Sequence, residues 1–331
     1  MLKLKFAIFL FLTGNAFSMA WAQLNVMDPQ TKQECERVKD VPFPEKDRPT
    51  SAEAKELANC VSEDLYFGFG QPADPVKARK CAFVEMDQQS SRPFAGKAIL
   101  MMLYANGRGV DRNFDLAIRL ACEVGGAPGD VAGNVHQLMR YKGANWKGTG
   151  FNICDHSSGR SLYEQCANLD ERFESVKREQ HLKEITSKWS ERDRQAFQPL
   201  QAAAEKYFKA HATQEVDLQS TIEVHEEEFM KNGFVDTLDK FEQGELPQFS
   251  AQQVKDADAD LDRIYGAIEA KAGMRWGTVT PESISKVEEL WKPYRDAWVA
   301  FGKEKFPKVD VASWKAWSAQ QRAQLLEHFL H

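Results

Sequence analysis

Beyond Leu162 the apolar positions recur every three to four residues through segments rich in Glu, Lys, Gln and Ala and nearly free of glycine. That period predicts long amphipathic helices, at 162–180, 190–212, 214–242, 250–272 and 281–304, with a shorter one at 318–329. The starts are marked: Thr280-Pro281-Glu282 supplies an N-cap, a proline at the first helical position and an early acid, and Ser190-Glu191 opens another helix. Pro199 and Pro293 fall inside helical patterns and are expected to kink them. Within VEELWKPYRDAWVAF, residues 287–301, Trp291, Tyr294, Trp298 and Phe301 share one helix face beside the adjacent pair Arg295-Asp296. An aromatic series at this spacing is first of all a core stripe.

The first half is punctuated differently. LYFGFGQPADPVKARKCA at 65–82 and LYANGRGVDRNFDLAIRLAC at 103–122 each run from a helix end through a glycine-rich turn into a second helix, an offset of 38 to 39 residues that suits helical hairpin repeats. Residues 23–50 are polar and proline-punctuated, which predicts an extended N-terminal arm anchored by Cys35. Ahead of it, Lys3 and Lys5 precede the apolar run FAIFLFL, and Ala20 and Ala22 frame an A-W-A site. This pattern predicts a secretory signal peptide over 1–22, cleaved after Ala22, and a periplasmic or secreted protein. No later stretch approaches the roughly 18–20 apolar residues of a membrane span, so stable membrane insertion is not expected.

Export changes how the cysteines are read. All six, Cys35, Cys60, Cys81, Cys122, Cys154 and Cys166, lie in the first half, and no C-x-x-C pair occurs. An even count in an exported chain predicts disulfides rather than a redox motif or a zinc site. If 52–67 and 75–87 form antiparallel helices, Cys60 and Cys81 are equally far from the turn and stand level, within disulfide reach. Cys154 and Cys166 bracket a polar loop, which leaves Cys35 for Cys122. The formal charge of −6, or −8 once Lys3 and Lys5 are removed, offers no basic stripe for a nucleic acid.

Two resemblances add to this. AILMMLYANGRGVDRNFDLAIRLACEVGGAPGDVAG resembles a Sel1-like repeat, with Leu103, Tyr104, Gly107, Gly109, Val110, Ala117, Ala121 and Gly125 at the pattern positions. The earlier copy departs from it at FGFGQPAD, and a third starting near Asp130 fades at RYKGANWKG, so about two and a half units cover 51–145. The C-terminal half resembles the family named for the lysozyme inhibitor LprI over 151–310, through Leu261, Asp262 and Tyr265 and then Trp291, Tyr294, Arg295 and Asp296, with CDHSSGRSLYEQC as an entry segment. Many members carry cysteines flanking these helices. This chain has Trp298 in place of one of them and no cysteine beyond 166. The half also repeats itself: LDERFESV at 169 matches LDRIYGAI at 261, and Leu200 with Phe208 corresponds to Leu290 with Trp298, although Ala204 and Glu205 replace Tyr294 and Arg295.

The expected architecture is therefore all-α: signal peptide 1–22, arm 23–50, a disulfide-bearing Sel1-like hairpin region 51–150, and an LprI-like helical bundle of two duplicated units over 151–331. No catalytic constellation emerges and no cofactor is called for. His225-Glu226-Glu227-Glu228 lacks the second histidine of H-E-x-x-H, Phe229 standing in its place. Asp155-His156 with Ser157 and Ser158 has no G-x-S-x-G context, and His328 with His331 has no third ligand. Tyr294, Arg295 and Asp296 are the candidates for more than packing, either as an inter-helix lock or as an exposed binding edge. The resemblances imply a non-enzymatic envelope protein that binds another protein, as an inhibitor of lysozyme or another cell-wall hydrolase, or else as a structural adaptor.

Overall fold

The computed structural model describes residues 27–330, so the expected signal peptide over 1–22, the cleavage expected after Ala22, and His331 lie outside the described residues. Among those described the protein is all-α, with thirteen α-helices, short 3-10 turns and no sheet. It divides into two compact units between Cys166 and Ala167, later than the expected boundary at 150/151. The Cys154–Cys166 disulfide explains the difference, because it holds the entry segment to the first unit. Among the described residues no helix is long and apolar enough to cross a membrane.

The first unit contains α1 (Pro29–Val38), α2 (Ser51–Glu56), α3 (Ser62–Phe67), α4 (Pro75–Asp87), α5 (Lys97–Asn106), α6 (Phe114–Val124) and α7 (Pro128–Gly143). Part of the arm is helical rather than extended. Asp28 caps α1 by accepting from Thr31 N (3.0 Å), and Pro29 sits at its first position, where the missing N–H costs nothing. The helix expected over 52–67 is broken at residues 57–61. There Ser62 N donates to Glu85 Oε1 at 2.9 Å, so a carboxylate from α4 starts α3 in place of a local cap. Three disulfides link Cys35 to Cys122, Cys60 to Cys81 and Cys154 to Cys166, with Cα separations of 5.8, 5.9 and 5.7 Å. These are the pairs that level hairpin positions, a bracketed loop and elimination select.

α5 is the axis of this unit, every residue from Ala98 to Asn106 being buried. Its exit turn carries two left-handed glycines, Gly107 (φ 63°) and Gly109 (φ 65°). Gly109 is fixed by space as well as conformation: a Cβ there would meet the backbone of Pro75 at 2.8 Å, the start of α4. Asn106 then clamps residue 151, its Oδ1 accepting from Phe151 N and its Nδ2 donating to Phe151 O, both at 2.8 Å.

The second unit contains most of α8 (Arg160–Ser187), then α9 (Glu191–Gln214), α10 (Glu223–Glu242), α11 (Ala251–Glu269), α12 (Pro281–Lys305) and α13 (Val311–Leu326). Pro199 and Pro293 both sit inside helices that continue past them. α10 starts at Glu223 rather than 214, because residues 215–222 form a loop tied to Thr278, whose N–H donates to Asp217 (3.1 Å). α13 starts earlier than expected, capped by Asp310, which accepts from Ala312 N at 3.0 Å. The main packing is α9 along α12 and α11 along α13. The stripe of α12 is core: Trp291, Trp298 and Phe301 are buried. Trp298 meets Phe234, Phe241 and Trp317 with ring centroids 5.2–5.6 Å apart, within the range of favourable edge and tilted pairs. Gly302 lets α13 approach, since a Cβ there would fall 2.3 Å from the buried Trp314 ring.

Candidate binding surface

Tyr294, Arg295 and Asp296 lie side by side on α12 and do different things. The Tyr294 ring stacks on Tyr207 of α9 (5.0 Å, 25°) and meets Phe208 edge-on (5.5 Å). Its surroundings push the phenol pKa up by desolvation. Arg295 instead turns back along its own helix. Its Nε and Nη2 donate to Asp296 Oδ1 at 3.0 and 2.8 Å, and its guanidinium lies over Trp291, 5.3 Å from the ring centroid. Asp296 is exposed. The inter-helix contact of this trio is thus made by Tyr294, while Arg295 and Asp296 form a surface pair, an arrangement that contributes little to stability.

The ionic lock between helices is elsewhere. Arg322 of α13 is fully buried and bonds Glu215 twice, Nη1 at 2.7 Å and Nη2 at 2.5 Å, and Glu288 of α12 through Nε at 3.0 Å. Its guanidinium faces the Tyr207 ring, 5.7 Å from the centroid, and Glu215 also bonds His211 Nδ1 at 2.8 Å. Four segments meet at this one cation. Burial disfavours the charge on Arg322, but Tyr207, Glu215 and Glu288 outweigh it and its pKa is raised. Burial also works against the charge on Glu215, yet its bonds to Arg322 and His211 leave its pKa lowered. Glu288, with a weaker share of the cation, has its pKa raised by burial.

These opposite shifts give opposite pH dependences. Glu288 binds its proton more tightly folded than unfolded, so its contribution is most favourable below the ordinary carboxyl value of 4.5 and declines as pH rises through the raised folded value. Glu215 contributes stability above its ordinary value and loses it as pH falls through its lowered one. Glu288→Gln, which keeps an acceptor for Arg322 but cannot ionise, is expected to flatten the decline in urea midpoint above pH 4.5. A variant profile parallel to the parent's across that range would remove Glu288 as its source.

Beside this lock, α9, α10, α12 and α13 enclose an aromatic groove of about 320 Å³. Tyr207, Phe208, Phe234, Trp291, Tyr294 and Trp317 line it, with Arg322 at its base. On its rim Phe229 of α10 is 66% exposed. In the sequence Phe229 stands where H-E-x-x-H would have its second histidine, a position that gives no sign of its exposure at a groove. The turn of helix before it carries Glu226, Glu227 and Glu228.

The other sequence candidates fall apart from this groove. His225 lies in the first turn of α10. His156 shares a hydrogen bond with Gln137 (2.6 Å), and Ser158 donates to Asp130 (2.7 Å), so Asp155 to Ser158 work as loop polarity in the first unit. His328 packs on Phe329. Among the described residues, three metal-ligand side chains converge at Cys60, Cys81 and Glu85. Both sulfurs there are joined in a disulfide, and Glu85 accepts from Ser62, Arg92 and Gly96 N. No family model matches the chain, and neither does any curated protein or solved structure.

Proposed function

We propose that the chain is an exported protein of the bacterial envelope that acts by binding another protein and carries out no chemistry of its own. In its sharpest form it inhibits a lysozyme or another cell-wall hydrolase by steric blockade. The observation that carries this reading is the aromatic-lined groove of about 320 Å³ with the exposed Phe229 on its rim, since a concave apolar site beside a large aromatic side chain offers a pocket and an anchor for a partner. Three disulfides fit an oxidising destination. The acid run before Phe229 and the net negative charge favour a basic partner, with charge setting the encounter rate and the aromatic anchor setting the lifetime.

Phe229→Asp tests the surface without touching the core. The variant is expected to keep the parent's melting temperature and to bind immobilised lysozyme about tenfold more weakly or worse, in line with loss of a buried anchor. Equal binding by both proteins would place the contact elsewhere. Binding by neither would leave the adaptor role for envelope assembly as the better reading.

A further inference from the structure

In the second unit α8 is packed at its two ends and bare between them. Ala167 and Leu169 are buried at one end and Ile185, followed by Trp189, at the other, but from Asp170 to Glu184 no residue is buried. A helix whose apolar anchors stand this far apart depends on polar contacts for its middle. Beside that middle lies a cleft of about 390 Å³, walled by Leu182 of α8, Ala204 and Phe208 of α9, and Phe234 and Val235 of α10. Phe208 and Phe234 also line the aromatic groove.

Polar contacts with α10 fasten this stretch. Arg178 is paired with Glu171 of its own helix and donates to Asn232 Oδ1 at 2.9 Å, while Lys231 reaches Glu171 at 3.3 Å and Glu227 at 2.8 Å. Nearer the end of α8, His181 Nε2 meets Asp239 Oδ2 at 2.5 Å, and His181 Nδ1 lies 3.9 Å from Glu184. Arg178, Lys231 and their acid partners keep their charges through the neutral range, whereas a histidine does not. Asp239 from α10 and Glu184 from α8 are the charged groups that face His181, and both favour the imidazolium. The bond to Asp239 is the main reason its pKa is raised above 6.5.

We propose that the middle of α8 is a pH-sensitive strap, latched to α10 by protonated His181 on Asp239 and loosened when His181 gives up its proton. No buried side chain between Leu169 and Ile185 replaces the contact once the charge is gone. A group whose pKa is raised by folding contributes fully below its ordinary value, here 6.5, and stops contributing as pH rises through the folded-state value. The two side chains are 47% and 33% exposed, so the latch shifts a local opening of α8 and does not unfold the bundle.

Hydrogen exchange of the disulfide-intact protein at about pH 6 and about pH 8.5, corrected for the intrinsic pH dependence of amide exchange, measures this opening. Protection over 170–184 is expected to fall roughly two- to fivefold at the higher pH, the worth of an exposed pair. His181→Gln keeps an N–H for Asp239 but cannot titrate, and is expected to show the lower protection at both pH values. Ring titration by NMR covers the case in which His181→Gln folds poorly. His181 is expected to titrate above 6.5 in the parent and closer to 6.5 in Asp239→Asn. Protection that does not change with pH, the parent's pH dependence retained in His181→Gln, or a His181 that titrates at or below 6.5 in the parent would overturn the latch.

Discussion

Arg322→Met is expected to destabilise the second unit by about 3–5 kcal/mol, the range measured when one member of a buried ion pair is removed. For a unit of this size that is a fall in melting temperature of roughly ten degrees. The cause is less the loss of attraction than what remains, two buried carboxylates, Glu215 and Glu288, with no cation between them. Adding Glu215→Gln and Glu288→Gln to Arg322→Met removes the stranded charges, and the triple variant is expected to recover a substantial part of the loss. Chemical denaturation of the three proteins at neutral pH measures this. A triple variant less stable than Arg322→Met would show that the network acts through its hydrogen bonds rather than its charge balance.

Trp298→Ala is the second large effect, about 3–5 kcal/mol for truncation of a fully buried Trp. Trp298 has 0% exposure and touches three rings from two other helices, Phe234 and Phe241 of α10 and Trp317 of α13, as well as Phe301 of its own helix. With so many rigid rings around it the site cannot collapse onto the space that an alanine leaves, so the cavity cost persists. Trp298→Phe keeps a ring in the same place and is expected to cost well under half as much. Thermal melts of both variants compare them. Equal losses would mean that the indole itself, and not the filled volume, holds the helices together.

The aromatic stripe of α12 was legible in the sequence because Trp291, Trp298 and Phe301 repeat at the helical period, and of the cysteine pairs Cys60–Cys81 because a hairpin places the two equally far from its turn, Cys154–Cys166 because they bracket one short loop, and Cys35–Cys122 by elimination. The Arg322 lock does not stand out in the sequence. Glu215 is 107 residues and Glu288 34 residues from their shared cation, and QQRAQL looks like a solvated helix face. A signal was present all the same. Glu288 stands three residues before Trp291, in phase with the stripe, and Arg322 stands four before the buried Leu326, so each puts a charge where the period calls for an apolar residue. The break at 57–61 is hidden for a similar reason: the acceptor that starts the next helix comes from Glu85, on another helix. Likewise Tyr294, Arg295 and Asp296 are contiguous in sequence, yet only the ring of Tyr294 reaches another helix, a distinction set by side-chain direction around the helix and invisible in the motif.

The proposed role as a blocker of a basic cell-wall hydrolase is tested most directly by a lysozyme turbidity assay with the purified, disulfide-intact protein. Lysis is expected to slow in the presence of the protein, with the inhibition weakening as salt screens the charge attraction and largely relieved by Phe229→Asp. Lysis at an unchanged rate with the protein in excess, at low and moderate salt alike, would contradict it.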